Sequence, residues 1–159
     1  MQETDTGAPA AWIRAWLALL DWTLDEDPIA RHAALREISR CLDSLFVRRT
    51  VAGERVLPAL VRRCDSVLAA DEWPLNRWLA AEALGRAWQA GCGVDATDAG
   101  RAFALVSAQL ADLCAQFAGV ALSKAPGKSQ WAQRSAIDAD LTRWIGTLSL
   151  FFTVRRVHG

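Results

Sequence analysis

Histidine and cysteine, the side chains most often used for acid–base and nucleophilic chemistry, are few and widely spaced in this chain. There are two histidines, His32 and His158, and four cysteines. His32 and Cys41 fall on one predicted helix, where nine residues at 1.5 Å each span about 13 Å, too far for a nucleophile and its base. We therefore predict no catalytic residue. The enzyme hypothesis would need another cysteine to fold against His32.

Motifs for phosphate and metal binding also fail. The tripeptide GKS at 127–129 resembles the end of a P-loop, but Leu122 stands where that motif needs glycine, and no strand precedes it. Asp25, Glu26 and Asp27 follow one another on a predicted bend, where they suit helix capping better than metal binding. No pair of Glu-x-x-His motifs is present. We predict no metal, no cofactor and no small-molecule substrate.

Two arginine pairs are candidate phosphate contacts. Arg48 and Arg49 end the second predicted helix, and Arg62 and Arg63 lie on the third. Together they can form a basic face for a nucleic acid. Equally, the first pair can complement a helix C-terminus, and the second can bind acidic neighbours. Nucleic-acid binding therefore stays open as an alternative.

Tryptophan occurs eight times, which a small core does not need. On the first predicted helix, Trp12 and Trp16 lie about 40° apart, but Trp22 lies about 120° beyond Trp16, so the three cannot share one face. Exposed tryptophan is enriched at protein interfaces. We predict that Trp12, Trp22, Trp73 and Trp78 contact a protein partner or mediate self-association.

The composition is that of a globular domain, with 159 residues, 52% hydrophobic and 23% charged. The formal net charge is zero, so no overall field attracts nucleic acid or acidic lipid. The charge nevertheless alternates along the chain, with −5 over 1–30, +5 over 31–63, −4 over 64–122 and +4 over 123–159. Such blocks are typical of neighbouring helices that attract one another.

Cysteine spacing and the absence of a leader pattern predict a cytoplasmic protein. The four cysteines match no zinc or redox motif and fit small core positions in a reducing compartment. The first residues, MQETDTGAPAA, are acidic and unlike a signal peptide. The segment Ala102 to Ser123 contains Asp112 and two glutamines, so it is predicted to be a buried helix, not a membrane span.

The elements that must position these side chains are all predicted to be helices. Apolar residues recur at helical spacing over about 9–24, 28–47, 54–69, 74–90, 98–122 and a last helix that reaches Phe152. The segments RRTVAGE at 48–54 and SKAPGKS at 123–129 are predicted to be loops. The apolar residues predicted to face the core include Leu24 on the first helix, Ile29 and Ala33 on the second, and Ile145 and Phe152 on the last. The stripe of the third helix consists of Leu57, Leu60, Val61, Cys64 and Leu68. Asp71 is predicted to cap the fourth helix, and the glycines of GCG at 91–93 to end it.

Two stretches of the chain echo one another. At an offset of 44, the apolar positions of the first predicted helix fall on those of the third, and at 46 those of the second fall on the fourth. Asp25 precedes Arg31 by six residues, and Asp71 precedes Arg77 by six. His32 then aligns with Trp78. This pattern predicts a duplicated helical hairpin, over 12–47 and 54–90.

The stretch VLPALVRRCDSVLAADEWPLNRWLAAEALGRAW resembles a HEAT repeat, and the period of 44 to 46 lies in the range of such arrays. The resemblance covers residues 12–90. It implies that the aspartates and arginines tie neighbouring repeats together and that the protein is a scaffold. The hairpin over 98–154 departs from it, because it lacks the proline and the Asp–Arg pair.

These observations predict one all-α domain over 1–159, with six helices in three hairpins. The hairpins form either a short HEAT-like array or a compact six-helix bundle. The predicted function is a non-enzymatic protein–protein interaction module, either an adaptor or a subunit of a larger assembly. The alternative is a nucleic-acid-associated helical subunit.

Overall fold

The computed structural model describes residues 2–52, 55–121 and 128–152 of the chain. Within those ranges the protein is helical and has no strand, which confirms the all-α prediction. Six helices are long, and α3 is a single turn. The helices are, in order, α1 (Gln2–Trp22), α2 (Pro28–Val47), α3 (Arg49–Ala52), α4 (Val56–Ala70), α5 (Pro74–Ala90), α6 (Ala96–Ala121) and α7 (Lys128–Phe152).

Proline and glycine set several helix ends, as the sequence predicts. Pro28 and Pro74 occupy the first turns of α2 and α5, where a missing N–H costs nothing. Gly91 ends α5 in the left-handed conformation, with φ of 67°. Asp71 was predicted to cap the N-terminus of α5, and this prediction is wrong. The N-cap of α5 is Trp73, and Asp71 is the C-cap of α4.

The two predicted loops are only partly described. Arg49–Ala52, within the loop predicted between α2 and α4, forms the one-turn helix α3, while Gly53 and Glu54 lie outside the described residues. Of the loop predicted over 123–129, residues 123–127 lie outside the described residues, while Lys128 and Ser129 belong to α7, so that end of the predicted loop is wrong.

The long helices form two layers. One layer contains α1, α4 and α6, and the other contains α2, α5 and α7. Within each layer every helix packs beside its neighbours, and each hairpin pairs one helix from each layer. The hairpin α4–α5 lies in the middle and contacts the other two, which share no extensive contact in the described ranges. The arrangement is therefore an open array of three hairpins.

The core is densest at the middle hairpin. All five apolar residues predicted for the inner face of α4 are buried: Leu57, Leu60, Val61, Cys64 and Leu68. Helix α5 buries alanines on one side and leaves Gly85 against α7, where an added Cβ would lie 2.9 Å from Leu150 Cβ. These small residues let the helix backbones approach closely.

Five residues predicted to face the core are exposed instead. Leu24 is 56% exposed because α1 ends at Trp22, which breaks the helical spacing before this residue. Ile29 is 65% exposed, and Ala33 is also exposed, on the first hairpin of the array. On α7, Ile145 is 57% exposed and Phe152 is 68% exposed. Periodicity identifies an apolar stripe but not whether a neighbouring helix covers it.

Helix α6 is not the buried helix that its composition predicts. Among the described helices, α6 alone is long and apolar enough to cross a membrane by length and composition, which is weak support for a span. Only 11% of its most apolar window is buried. Alanines and glycines, not large apolar residues, supply much of the exposed surface.

Candidate functional site

A buried carboxylate joins the first two hairpins. The side chain of Asp71 is 2% exposed and accepts a hydrogen bond from Arg31 Nε at 2.9 Å. It also accepts the backbone N–H of Trp73 at 2.9 Å and, at 3.3 Å, the amide of Asn76. Arg31 in turn donates to the backbone carbonyl of Asp25 at 2.8 Å. The charges therefore lock the turn before α2 to the turn before α5.

These contacts decide the protonation of Asp71. Burial is the largest influence and raises the pKa of the carboxyl. The hydrogen bonds from Arg31, from the N–H of Trp73 and from Asn76, together with the Arg31 charge, outweigh burial and hold the pKa below its ordinary value. Asp71 is consequently an anion at neutral pH, already fully used by the fold.

His32 belongs to the same network. Its Nδ1 lies 3.0 Å from Oδ1 of Asn76, which is fully buried. The Asn76 amide donates to Asp71 and, at 3.4 Å, to the Pro28 carbonyl, so its oxygen is the acceptor toward His32. His32 Nδ1 must therefore carry the proton. This histidine fixes the junction between α2 and α5 and is not paired with any described cysteine.

The arginines of the sequence echo make matching contacts. Arg77 donates to the carbonyl of Asp71 at 2.8 Å, as Arg31 does to Asp25, in each case six residues back. Arg77 also reaches Gln109 of α6 at 3.2 Å. Each arginine thus ties its own turn to a neighbouring hairpin. Further ion pairs between hairpins are Arg63–Asp21 at 3.5 Å, Arg86–Asp43 at 2.9 Å and Arg101–Asp65 at 2.9 Å.

A groove of about 670 Å³ lies between α2 and α5. Its lining consists of Trp78, the charged residues Arg36, Glu37, Arg40 and Glu82, and the uncharged residues Ala33, Ser39 and Leu79. Arg40 and Glu37 form an ion pair one turn apart on α2. The groove therefore offers a partner a mixed-charge rim around an aromatic wall.

Trp78 forms that wall and is held from behind by α7. Its side chain is half-buried, and its Nε1 donates to the Arg143 carbonyl at 3.3 Å. The Arg143 guanidinium lies 5.8 Å from the ring centroid, within range of a cation–π contact. These two contacts hold the indole in one orientation.

The other three predicted tryptophan anchors lie elsewhere. Trp22 is 63% exposed and Trp73 is 38% exposed. Each is adjacent in sequence to a residue that lines a second groove, of about 430 Å³, between the turn before α2 and the turn before α5. Trp12 is half-buried, edge-on to Trp16 at 6.4 Å, with Arg48 5.4 Å from its ring. The four residues therefore do not form one surface.

The four predicted phosphate contacts are also divided. Arg48 stacks on a tryptophan and caps α2, and Arg63 pairs with Asp21 across a hairpin junction. Arg49 and Arg62 are exposed and make no ion pair with any described residue. Two of the four arginines are therefore used in contacts between described residues.

The thiols are poorly suited to nucleophilic chemistry. Burial raises the pKa of Cys64 to about 12, and burial followed by the Glu37 charge raises the pKa of Cys41. Cys92 is buried, and Cys114 is exposed. No group of three or more His, Cys, Asp or Glu residues in the described ranges is placed to hold a metal ion.

One exposed aromatic residue is not among the binding residues predicted from the sequence. Trp131 on α7 is 54% exposed, and the Arg134 guanidinium lies 5.6 Å from its ring and 5.3 Å from that of Phe117. A tryptophan followed three residues later by an arginine on a helix is a signal for such stacking.

No family model, curated protein or solved structure matches this chain.

Proposed function

We propose that this protein is a non-enzymatic protein–protein interaction module that holds a segment of a partner in the groove between α2 and α5. The observation that carries the proposal is Trp78, a half-buried indole fixed by Arg143 in the wall of that groove. Rigid, partly exposed tryptophans surrounded by polar rims are the usual anchors of protein interfaces.

The character of the lining indicates the partner. An apolar side chain would contact Trp78, and charged residues on either side would meet Arg36 and Glu82. The exposed Trp22 and Trp73 provide further contacts near the turns. The resemblance to HEAT repeats and the stacked hairpins support a scaffold or adaptor. Four free cysteines suit a reducing compartment such as the cytoplasm.

The test compares the proteins retained from nuclease-treated lysate by wild type and by variants of the groove. Ala33→Glu places a carboxylate in the groove at an exposed position without removing core volume, and Trp78→Ala removes the anchor. Ala15→Glu, at an exposed alanine of α1 outside the groove, is the matched control for Ala33→Glu. We expect a stoichiometric partner with wild type and Ala15→Glu, and its loss from both groove variants. Identical sets from all four proteins would refute the proposal.

A second candidate, nucleic-acid association, is favoured by Arg49 and Arg62, which are exposed and form no ion pair with any residue that the structure describes. Binding through these residues would fall steeply with salt. A double Arg49→Glu, Arg62→Glu variant should abolish binding to a labelled oligonucleotide, while Arg86→Glu, whose arginine is paired with Asp43, should retain it if folded. Absence of binding by wild type at low salt would remove this candidate.

A further inference from the structure

The third hairpin presents an apolar surface that no described helix covers. We call it the outer edge. It comprises small residues of α6 and large apolar residues of α7: Gly100, Ala104, Ala111 and Ala118, with Trp131, Ile145 and Phe152. Trp131, Ile145 and Phe152 are 54%, 57% and 68% exposed.

Helix geometry places these residues on one side of the hairpin. At 100° per residue, the four positions on α6 lie within about 40° of one another, and the three on α7 within about 60°. Other faces of α6 and α7 contact the middle hairpin. Arg101 and Gln109 of α6 reach the middle hairpin, and Leu150 and Phe151 of α7 lie against Gly85. The outer edge therefore points away from the array.

The composition of this edge is unusual for a surface in contact with water. End units of helical arrays normally carry a polar outer face, and large exposed apolar patches mark interaction sites. Here the charged side chains beside the large apolar residues of α7 are Arg134 and Asp138, of opposite sign and one turn apart. Small residues also pack between helices in the interior of this protein, where Ala80, Ala83 and Ala87 of α5 are buried. The outer edge also has small residues on its surface, but no described helix packs against them.

We propose that the outer edge binds a second copy of this chain in a two-fold symmetric dimer. The helices of 26 and 25 residues are about 38 Å long and, side by side, about 20 Å wide. The face is thus about 760 Å² per copy, close to the roughly 800 Å² per partner that a stable interface buries.

Symmetry and charge favour a second copy as the occupant. In a two-fold interface the same patch meets itself, so an edge with one positive and one negative side chain is self-complementary. The dimer leaves the groove between α2 and α5 outside the interface, and this proposal does not depend on the proposed function.

The test is sedimentation equilibrium of the full chain over a wide concentration range. We expect wild type to reach twice the monomer mass of 17.4 kDa. Ile145→Glu and Ala111→Glu each place a carboxylate in the interface and should weaken association about 100-fold or more. Both positions are exposed, so the monomer should still fold, as circular dichroism will show. Ala15→Glu, at an exposed alanine of α1, is the matched control and should dimerise like wild type.

Three outcomes would overturn the proposal. The first is a wild type that stays monomeric at every concentration. The second is a dimer that neither edge variant weakens. The third is a monomer that co-sediments with phosphatidylcholine vesicles and loses this binding in Ile145→Glu, which would assign the edge to lipid.

Discussion

Asp71 accepts hydrogen bonds from both hairpins that meet at its side chain. Arg31 comes from the first hairpin, and Trp73 and Asn76 come from the second. A carboxylate this well surrounded is stabilising only while it is ionised and partnered. The residue therefore makes the junction between hairpins sensitive to acid.

The first prediction is a loss of stability below about pH 4. The pKa of Asp71 is lower in the folded protein than the ordinary value of 3.8, so the unfolded chain binds more protons in that window. The contribution is complete above the ordinary pKa and is lost as the pH falls through the folded one. Urea unfolding across pH should show a weaker dependence for Asp71→Asn than for wild type.

Asp43→Asn is the control for this measurement, because Asp43 is also paired with an arginine but its side chain is 88% exposed. It should keep the pH dependence of wild type. An Asp71→Asn curve parallel to that of wild type would show that other carboxyls control acid unfolding.

The second prediction concerns thiol labelling of the native protein. Cys114 is exposed and should react first with an aromatic disulfide reagent, whereas Cys64, buried and with a pKa of about 12, should react only on unfolding. Cys114→Ser should remove the fast phase. A fast phase that persists in this variant and maps to Cys41 would revive the hypothesis of a His32–cysteine enzyme.

At the level of helices, α5 is held between two neighbours that it meets in different ways. Toward α2 it uses hydrogen bonds and ion pairs through Asn76 and Arg86, and toward α7 it uses the close approach at Gly85. A side chain at Gly85 has no room, because Leu150 lies 2.9 Å from the position of a Cβ.

The third prediction follows from that approach. Gly85→Ala should destabilise the protein by about 2 kcal/mol, because the overpacking outweighs the better helix propensity of alanine. Gly146→Ala on α7 is the matched control, since no neighbouring atom lies within 4 Å of its added Cβ. It should stabilise the protein by about 0.5–1 kcal/mol. Chemical denaturation measures both, and equal effects would contradict the close packing of α5 and α7.

At the level of the whole molecule, the middle hairpin is the one with neighbours on both sides. The fourth prediction is that backbone amides of α4 and α5 exchange most slowly with deuterium, because opening them requires both junctions to break. Mass spectrometry on the Ile145→Glu variant avoids shielding of the outer edge by self-association. Equal protection in all six long helices would indicate one cooperative unit instead.

Much of this architecture follows from sequence pattern. Helical periodicity, the prolines at 28 and 74 and the glycine at 91 predict the elements, and the stripe of α4 is buried as predicted. Arg31, in the first copy of the sequence echo, pairs with Asp71, in the second. All these signals are local or recur at a fixed offset, so a single chain carries them.

The rest depends on contacts between distant residues. Trp78 is oriented by Arg143, 65 residues away, and Asn76 is a buried amide on a helix, for which no spacing rule exists. Exposure of Ile145 depends on whether another helix lies beside α7, which periodicity does not encode. The candidate groove therefore emerges only when the hairpins are stacked.

The first and third hairpins lean on opposite sides of α5 and share no extensive contact in the described ranges. Their relative orientation is consequently set by two interfaces in series, the one between α2 and α5 and the one between α5 and α7. A segment wedged between α2 and α5 would open one interface, and the bond between Trp78 and Arg143 would carry that strain to α7. Mechanical load at one end of the array should therefore be felt at the other.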